Sequence, residues 1–147
     1  MLADALARCA GIESGGNPLA QSSLGERGLL QCSEATALQG GVYTHQEWDS
    51  LKDPRTSAEE HARLGLKLFR ASWSRAKKYV EHAPSGAVDQ VFYAKLYHQY
   101  PADVKRAALH GPALLMARAL KEQWKGRPKS LHRLRAANVV AFGLFNP

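Results

Sequence analysis

The feature that most constrains this 147-residue chain is a carboxylate at the end of a helical pattern, followed at once by a glycine-rich loop. Apolar residues before Glu13 recur every three to four positions, the spacing of a packed helix face: Leu2, Ala5, Leu6, Cys9 and Ile12. Gly15 and Gly16 are expected to end this helix, because glycine accepts the left-handed conformation of helix termini. Partial burial and the negative end of the helix dipole favour the protonated carboxyl, so Glu13 is predicted to act as a general acid.

Twelve residues of the stretch 13–37 stand in a fixed order and spacing: Glu13, Ser14, Asn17, Pro18, Ala20, Ser22, Gly25, Gly28, Leu29, Gln31, Thr36 and Ala37. This pattern resembles the signature of the lytic transglycosylases of the goose-type lysozyme superfamily. The chain departs from that signature where Gly16 replaces an aromatic residue, Glu26 an alanine, Leu30 a methionine and Glu34 a proline. Leucine nearly conserves the volume of methionine. Glu26 and Glu34 each add a carboxylate near the expected cleft and are candidates for an auxiliary role.

The resemblance implies a single lysozyme-like domain over residues 1–147 that cleaves peptidoglycan. In the resembled enzymes one glutamate protonates the β-1,4 glycosidic oxygen between N-acetylmuramic acid (MurNAc) and N-acetylglucosamine (GlcNAc). The same group then takes the proton of the muramoyl 6-hydroxyl, which attacks its own anomeric carbon and leaves a 1,6-anhydro end. Glu13 holds this position here. Such an enzyme is expected at the cell wall, in the periplasm or another extracytoplasmic place, or in a phage particle.

Four further residues are candidates for substrate binding. Ser14 is expected either to bind the Glu13 carboxylate or a neighbouring amide, or to serve only the turn. Gln31 has donor and acceptor atoms, which suit either a sugar N-acetyl group or the loop backbone. The resemblance implies a later tyrosine near the acid, for which Tyr97 is the nearest counterpart and Tyr93 its rival. The alternative for both tyrosines is a place in the core.

Two other functions stay open at this point. A muramidase of the same fold would hydrolyse the bond with a second carboxylate that activates water. Its candidates are Glu26, Glu34, Glu47 and Asp49. A non-catalytic wall-binding or assembly module would instead depend on the basic C-terminal region.

The formal net charge of +7 is concentrated near the C-terminus. One short stretch carries six cations: Lys121, Lys125, Arg127, Lys129, Arg133 and Arg135. Such a cluster attracts polyanions, so Lys121, Lys125, Arg127 and Lys129 are candidates for binding anionic cell-wall polymers, and a solvated helix face is the alternative. A nucleic-acid partner is not predicted, because the cluster lacks interleaved aromatic residues and any known reading motif.

Helical periodicity dominates the rest of the chain, so the fold is predicted to be mainly α. The sequence predicts a capping box at Ser57 that opens a helix, a helix ended by Pro101, and a last helix over 131–145. The segment 42–51 favours a short strand, hairpin or loop instead, and its Tyr43 and Trp48 are candidates for stacking on sugars.

Several classes of protein are not predicted. No apolar run is long enough for a membrane span, and no secretory signal is visible. Cys9 and Cys32 are too few for a disulfide scaffold and favour buried thiols over a bridge. No histidine pair has metal-binding spacing and no phosphate-binding loop occurs, so neither a metal nor a cofactor is predicted. A domain cut from a longer protein and a phage-borne enzyme are both compatible with a catalytic helix so near residue 1.

Overall fold

The computed structural model describes residues 2–79, 87–99, 101, 104, 136, 137 and 139–141. This part of the chain is mostly helical, which confirms the predicted mainly α fold. Its elements are α1 (Leu2–Ser14), a π-helical turn (Ala35–Gln39), α2 (His45–Ser50), α3 (Ala58–Lys77) and α4 (Ala87–Gln99). The β pairing in the described residues is limited to two isolated antiparallel bridges, Gln21 with Arg27 and Arg27 with Cys32.

The chain divides into two compact units. The first, residues 2–71, contains α1, the glycine-rich loop, α2 and most of α3. The second begins at Ser72 and contains the end of α3 and all of α4. The basic cluster of residues 121–135 and the breaks predicted at 84–86, 111–112 and 126–128 lie outside the described residues. The single domain over 1–147 stays a prediction.

In the first unit, α1 meets α3 where Leu6 lies against Gly65. Ala5, Leu6, Cys9 and Ala10 form the buried face of α1. A Cβ atom built on Gly65 of α3 would lie 2.9 Å from Leu6 Cδ1, a distance that real Cβ atoms essentially never show, so glycine lets the two helices approach. Ile12 was predicted on the same face but is 41% exposed, because at about 100° per residue it falls at the margin of the buried arc.

The buried face of α3 is displaced from the predicted one. The sequence predicted a stripe of Ala62, Gly65, Phe69, Trp73, Ala76 and Val80. The structure buries His61, Leu64, Gly65, Leu68, Phe69, Ser72 and Ala76, while Ala62 and Trp73 are only partly buried and Val80 lies outside the described residues. Two polar residues, His61 and Ser72, therefore take positions that the apolar pattern assigned to its neighbours.

The predicted capping box at the start of α3 is half formed. Ser57 Oγ accepts a hydrogen bond from the Glu60 amide at 3.1 Å, which satisfies one amide of the first turn. The Glu60 carboxylate does not return to Ser57 but binds the Arg63 guanidinium, with 2.6 Å between Oε1 and Nη2.

The strand or hairpin predicted for 42–51 is wrong, because α2 occupies most of that segment. Thr44 Oγ1 accepts from the Glu47 amide and Glu47 Oε2 accepts from the Thr44 amide, both at 3.1 Å, so these two residues form a complete capping box. Tyr43 and Trp48 are buried, which contradicts their predicted role in sugar stacking. The Tyr43 hydroxyl donates to the Leu64 carbonyl at 2.7 Å, and burial raises the pKa of this tyrosine.

In the second unit, the middle of α4 is buried on all sides, whereas the sequence predicted one apolar stripe of Val88, Val91, Phe92, Leu96 and Tyr100. Six consecutive residues are inaccessible: Val91, Phe92, Tyr93, Ala94, Lys95 and Leu96. A helix buried all round lies inside a core rather than on its surface. Pro101, the predicted stop, itself has helical conformation, which proline tolerates in the first turn of a helix. Residues 136, 137 and 139–141 are helical, in agreement with the predicted last helix.

Two further expectations concern membranes and cysteines. Among the described residues, no helix combines the length and apolarity needed to cross a bilayer. Cys9 and Cys32 are both buried thiols, the state that the sequence favoured.

We predict that His61 makes stability fall in mild acid. His61 is buried, and its Nδ1 atom has no hydrogen-bond partner among the described residues. Burial lowers the pKa of His61, and the nearby Glu60 charge raises it by less. The unfolded chain, with a histidine pKa of about 6.5, therefore binds more protons between the two pKa values. Stability should be full above about pH 6.5 and decline below it.

Thermal unfolding at about pH 7.5 and about pH 5.5 checks this expectation, with His61→Leu as the variant that cannot titrate. The loss of melting temperature between the two pH values should be smaller in that variant than in the parent. Equal losses in both proteins would assign the acid sensitivity to other groups.

Candidate active site

Glu13 lies in the last turn of α1, and its side chain is partly buried. Gly15 and Gly16 follow with φ of 63° and 80°, the left-handed conformation that the sequence predicted. The Gly16 amide donates to the Ala10 carbonyl at 3.0 Å and so closes the helix end. The predicted acid therefore stands where the helix gives way to the glycine-rich loop.

Ser14 joins the end of α1 to the far side of that loop. Its Oγ atom lies 3.0 Å from the Ala10 carbonyl oxygen and 2.8 Å from the Leu29 carbonyl oxygen. A hydroxyl has one hydrogen, so Ser14 donates to one of these carbonyls at a time. The two partners differ from those predicted, the Glu13 carboxylate or a neighbouring amide, because Leu29 comes close only once the loop has folded back.

Gln31 fixes the loop from the inside. Its Nε2 atom donates to the Ala20 carbonyl at 2.9 Å and to the Gly28 carbonyl at 3.0 Å. These bonds match the loop-fixing role among the two that the sequence left open, and they do not use the acceptor Oε1. Gln31 also has a φ of 51°, the one positive value among the described non-glycine residues, a conformation that costs a side chain free energy.

Two further polar residues of the signature, Asn17 and Ser22, also bind loop backbone. Ser22 Oγ accepts from the amides of Leu24 and Glu26, each at 3.2 Å, and Asn17 Oδ1 accepts from the Leu19 amide at 3.0 Å. Most of the signature thus specifies the shape of one loop.

Gly28 of the signature is needed for two reasons. Its φ of 84° lies in the left-handed region. A Cβ atom there would also approach Leu51 Cδ2 to 3.2 Å.

Glu47, one carboxylate considered for a second catalytic role, is engaged elsewhere. Lys67 Nζ lies 2.7 Å from its Oε2, and Arg63 Nη2 lies 3.2 Å from its Oε1. Burial raises the pKa of Glu47, but the hydrogen bonds from Lys67, the Thr44 amide and Arg63 together lower it further, so the net shift is downward. A carboxylate so stabilised in its charged form is a weak base, and its role is to join α2 to α3.

The other candidate carboxylates have different surroundings. Glu26 is partly buried, whereas Glu34 is exposed beside the π-helical turn and makes no capping bond. Asp49 is 75% exposed, and its Oδ1 lies 3.9 Å from Arg27 Nη1. Within the described ranges, no group of three or more His, Cys, Asp or Glu side chains is placed to bind a metal ion.

The two candidate tyrosines of the second unit differ in burial. Tyr93 is 1% exposed, and its ring packs edge-on against Phe92 with 5.4 Å between centroids. Burial raises the pKa of Tyr93, and the charge of Asp89 raises it further. Tyr97, one turn later on α4, is only partly buried. Tyr93 therefore lies in the core, the alternative given for both tyrosines, whereas Tyr97 keeps accessible surface.

A family model described as Transglycosylase SLT domain matches residues 2–108, well over half of the chain. The match includes α1 to α4 and the whole glycine-rich loop, and the chain therefore belongs to this family. Membership confirms the predicted lytic transglycosylase class and gives the protein, at the level of the family, lytic transglycosylase-type activity on peptidoglycan of the cell wall. No curated protein and no solved structure gives a significant match to the chain.

We predict that Gln31→Ala lowers the free energy of unfolding by about 1–3 kcal/mol, because two loop carbonyls lose their donor and each such bond contributes about 0.5–1.5 kcal/mol. Urea unfolding measures the change. Gln46→Ala is the matched control, since Gln46 is exposed on α2. Equal effects of the two substitutions would show that the Gln31 bonds contribute nothing to stability.

Proposed function

We propose that the protein is a lytic transglycosylase in which Glu13 alone performs both proton transfers at the MurNAc–GlcNAc β-1,4 bond. The main support is that the residues near the end of α1 have two different roles. Ser14, Asn17, Ser22 and Gln31 use their side chains to shape the loop, whereas Glu13 supplies the acid beside it.

The proposed reaction needs no second protein carboxylate. Glu13 donates its proton to the glycosidic oxygen as the bond to the MurNAc anomeric carbon breaks. The muramoyl 6-hydroxyl then bonds to that carbon and gives its proton to the Glu13 carboxylate. The carboxyl group is regenerated, no water is consumed, and the products are a 1,6-anhydro-MurNAc end and a free GlcNAc 4-hydroxyl.

Muramidase activity is the alternative, and it would require a base for water. Glu47 is a poor candidate because two cations and a backbone amide already stabilise its charge. Asp49 and Glu34 are largely exposed to solvent. Glu26, partly buried within the loop, is the carboxylate left to serve this alternative.

The proposal assigns substrate contacts to two of the four predicted residues. Gln31 has committed its two amide hydrogens to the loop, and its Oε1 can accept the N–H of an acetamido group. Tyr97 retains accessible ring surface that Tyr93 lacks. Ser14 is better suited to holding the loop, because its donor hydrogen lies between two carbonyls.

We predict that Glu13→Gln lowers the rate of muropeptide release by about 10²–10⁴-fold, the usual contribution of a positioned acid or base. Mass spectrometry of the released muropeptides gives both rate and product. The parent should yield anhydro ends with no ¹⁸O from labelled water. Glu59→Gln, on an exposed position of α3, serves as the control.

Two results would contradict this assignment in different ways. Release of muropeptides by Glu13→Gln at the parent's rate would show that Glu13 does not take part in the reaction. Reducing ends that carry ¹⁸O would establish a muramidase, and loss of that product in Glu26→Gln would identify its base.

We propose further that Lys121, Lys125, Arg127 and Lys129 bind anionic cell-wall polymers. The support is the concentration of charge in the sequence. Attraction between exposed charges is screened over about 8–10 Å at physiological salt, so such binding should weaken steeply as salt rises.

The triple variant Lys125→Gln, Arg127→Gln, Lys129→Gln should cosediment less with intact walls at low salt and still cleave short soluble glycans. Its matched control removes three charges elsewhere, at the exposed Lys52, Lys77 and Lys78. Equal cosedimentation of the two triple variants would show that the cluster is only a solvated surface and does not bind the wall. Loss of soluble-glycan cleavage would place it in the catalytic machinery instead.

A further inference from the structure

Arg27 is the central backbone residue of the glycine-rich loop. Its amide donates to the Cys32 carbonyl and its carbonyl accepts from the Cys32 amide, both at 2.9 Å. On its other side it forms an antiparallel bridge with Gln21. One residue thus links the outgoing and returning halves of the loop, between Gly25 and Gly28, which both have positive φ.

The Arg27 side chain leaves this loop and binds α2. Nη1 donates to the Trp48 carbonyl at 3.2 Å, and the guanidinium carbon lies 4.2 Å from the centroid of the Trp48 ring. The side chain is only 17% exposed, with Asp49 at its outer edge. A planar guanidinium can stack on a ring and donate in its own plane at the same time, which an ammonium cannot.

The surface that receives Arg27 is itself held in place. Trp48 is buried, and its helix α2 is joined to α3 through the ion pairs of Glu47 with Arg63 and Lys67. The loop is therefore attached to helices of the first unit at more than one point: Ser14 binds Leu29 at the end of α1, and Arg27 binds Trp48 on α2. Gly25 and Gly28 flank Arg27, and without these attachments the freedom of glycine would allow the loop backbone to rotate there.

We propose that Arg27 is a positioning residue: its guanidinium, stacked on Trp48, holds the glycine-rich loop in the arrangement in which Leu29 binds Ser14 at the end of α1 and Gln31 binds Ala20 and Gly28. In its effect on catalysis this inference rests on the proposed function, because the loop so held is the one that follows Glu13. Its effect on the loop itself does not depend on that function.

Arg27→Met tests the proposal, because methionine keeps an apolar stem and removes both the charge and the donors. Arg55→Met is the matched control. It removes an arginine of the same unit that pairs with Asp53 at 2.9 Å but is almost fully exposed. The variants are compared by hydrogen exchange of backbone amides and by kcat and KM on a soluble peptidoglycan fragment, well below the melting temperature.

In Arg27→Met we expect about tenfold faster exchange at the loop amides of Arg27, Gly28, Gln31 and Cys32, while the amides of α3 keep the parent's rates, because only the local opening of the loop becomes easier. The kcat should fall about tenfold or more, because the loop that follows Glu13 no longer keeps one arrangement, and KM should rise, because the same loop carries the proposed substrate contact of Gln31. Arg55→Met should match the parent in both measurements. Asp49→Asn should match the parent in loop exchange, because Asp49 is 75% exposed and its Oδ1 lies 3.9 Å from Arg27 Nη1.

Unchanged loop exchange in Arg27→Met would overturn the proposal, and so would equal acceleration throughout the first unit with kcat intact. If Arg27→Met does not fold, Arg27→Lys decides. Loop exchange faster than the parent's in Arg27→Lys supports the role of the guanidinium stacked on Trp48. Exchange equal to the parent's overturns the proposal. A parent inactive on peptidoglycan would refute the proposed function, while the exchange comparison would still decide the role of Arg27.

Discussion

The contact between Leu6 of α1 and Gly65 of α3 is the one on which the first unit depends. Because position 65 has no side chain, α3 packs directly on the face of α1 that holds Cys9 and Ala10. Overpacking such a contact typically costs about 1–3 kcal/mol. The other attachments follow from it in order: ion pairs join α2 to α3, and Arg27 joins the loop to α2. The loop is therefore held by its attachments to these helices as well as by its own hydrogen bonds.

The loop illustrates why a catalytic signature need not consist of catalytic residues. Four of its polar side chains bind backbone atoms of the loop or of the helix end beside it. Buried or half-buried amides and carbonyls need partners, and these side chains supply them without adding charge.

The sequence was sufficient for features that depend on local conformation, and insufficient for those that depend on tertiary contacts. The stop at Gly15 and Gly16 follows from backbone freedom alone, and the family follows from spacing. Helix α2 was missed although Thr44 and Glu47 spell a capping box, because the aromatic residues around them favour strands. The contact of Arg27 with Trp48 gives no periodic signal in the sequence, because the two residues are 21 positions apart.

The left-handed backbone of Gln31 restricts which residue this position can hold. Glycine would relieve the strained φ but would leave the carbonyls of Ala20 and Gly28 without their shared donor. Asparagine tolerates the conformation, yet its side chain is one methylene shorter than the one that spans both carbonyls. Glutamate has the length but offers acceptors where donors are required. Hydrogen-bond chemistry therefore selects this amide against the preference of the backbone, so a single substitution at position 31 either relieves the strain or keeps both loop hydrogen bonds, but not both.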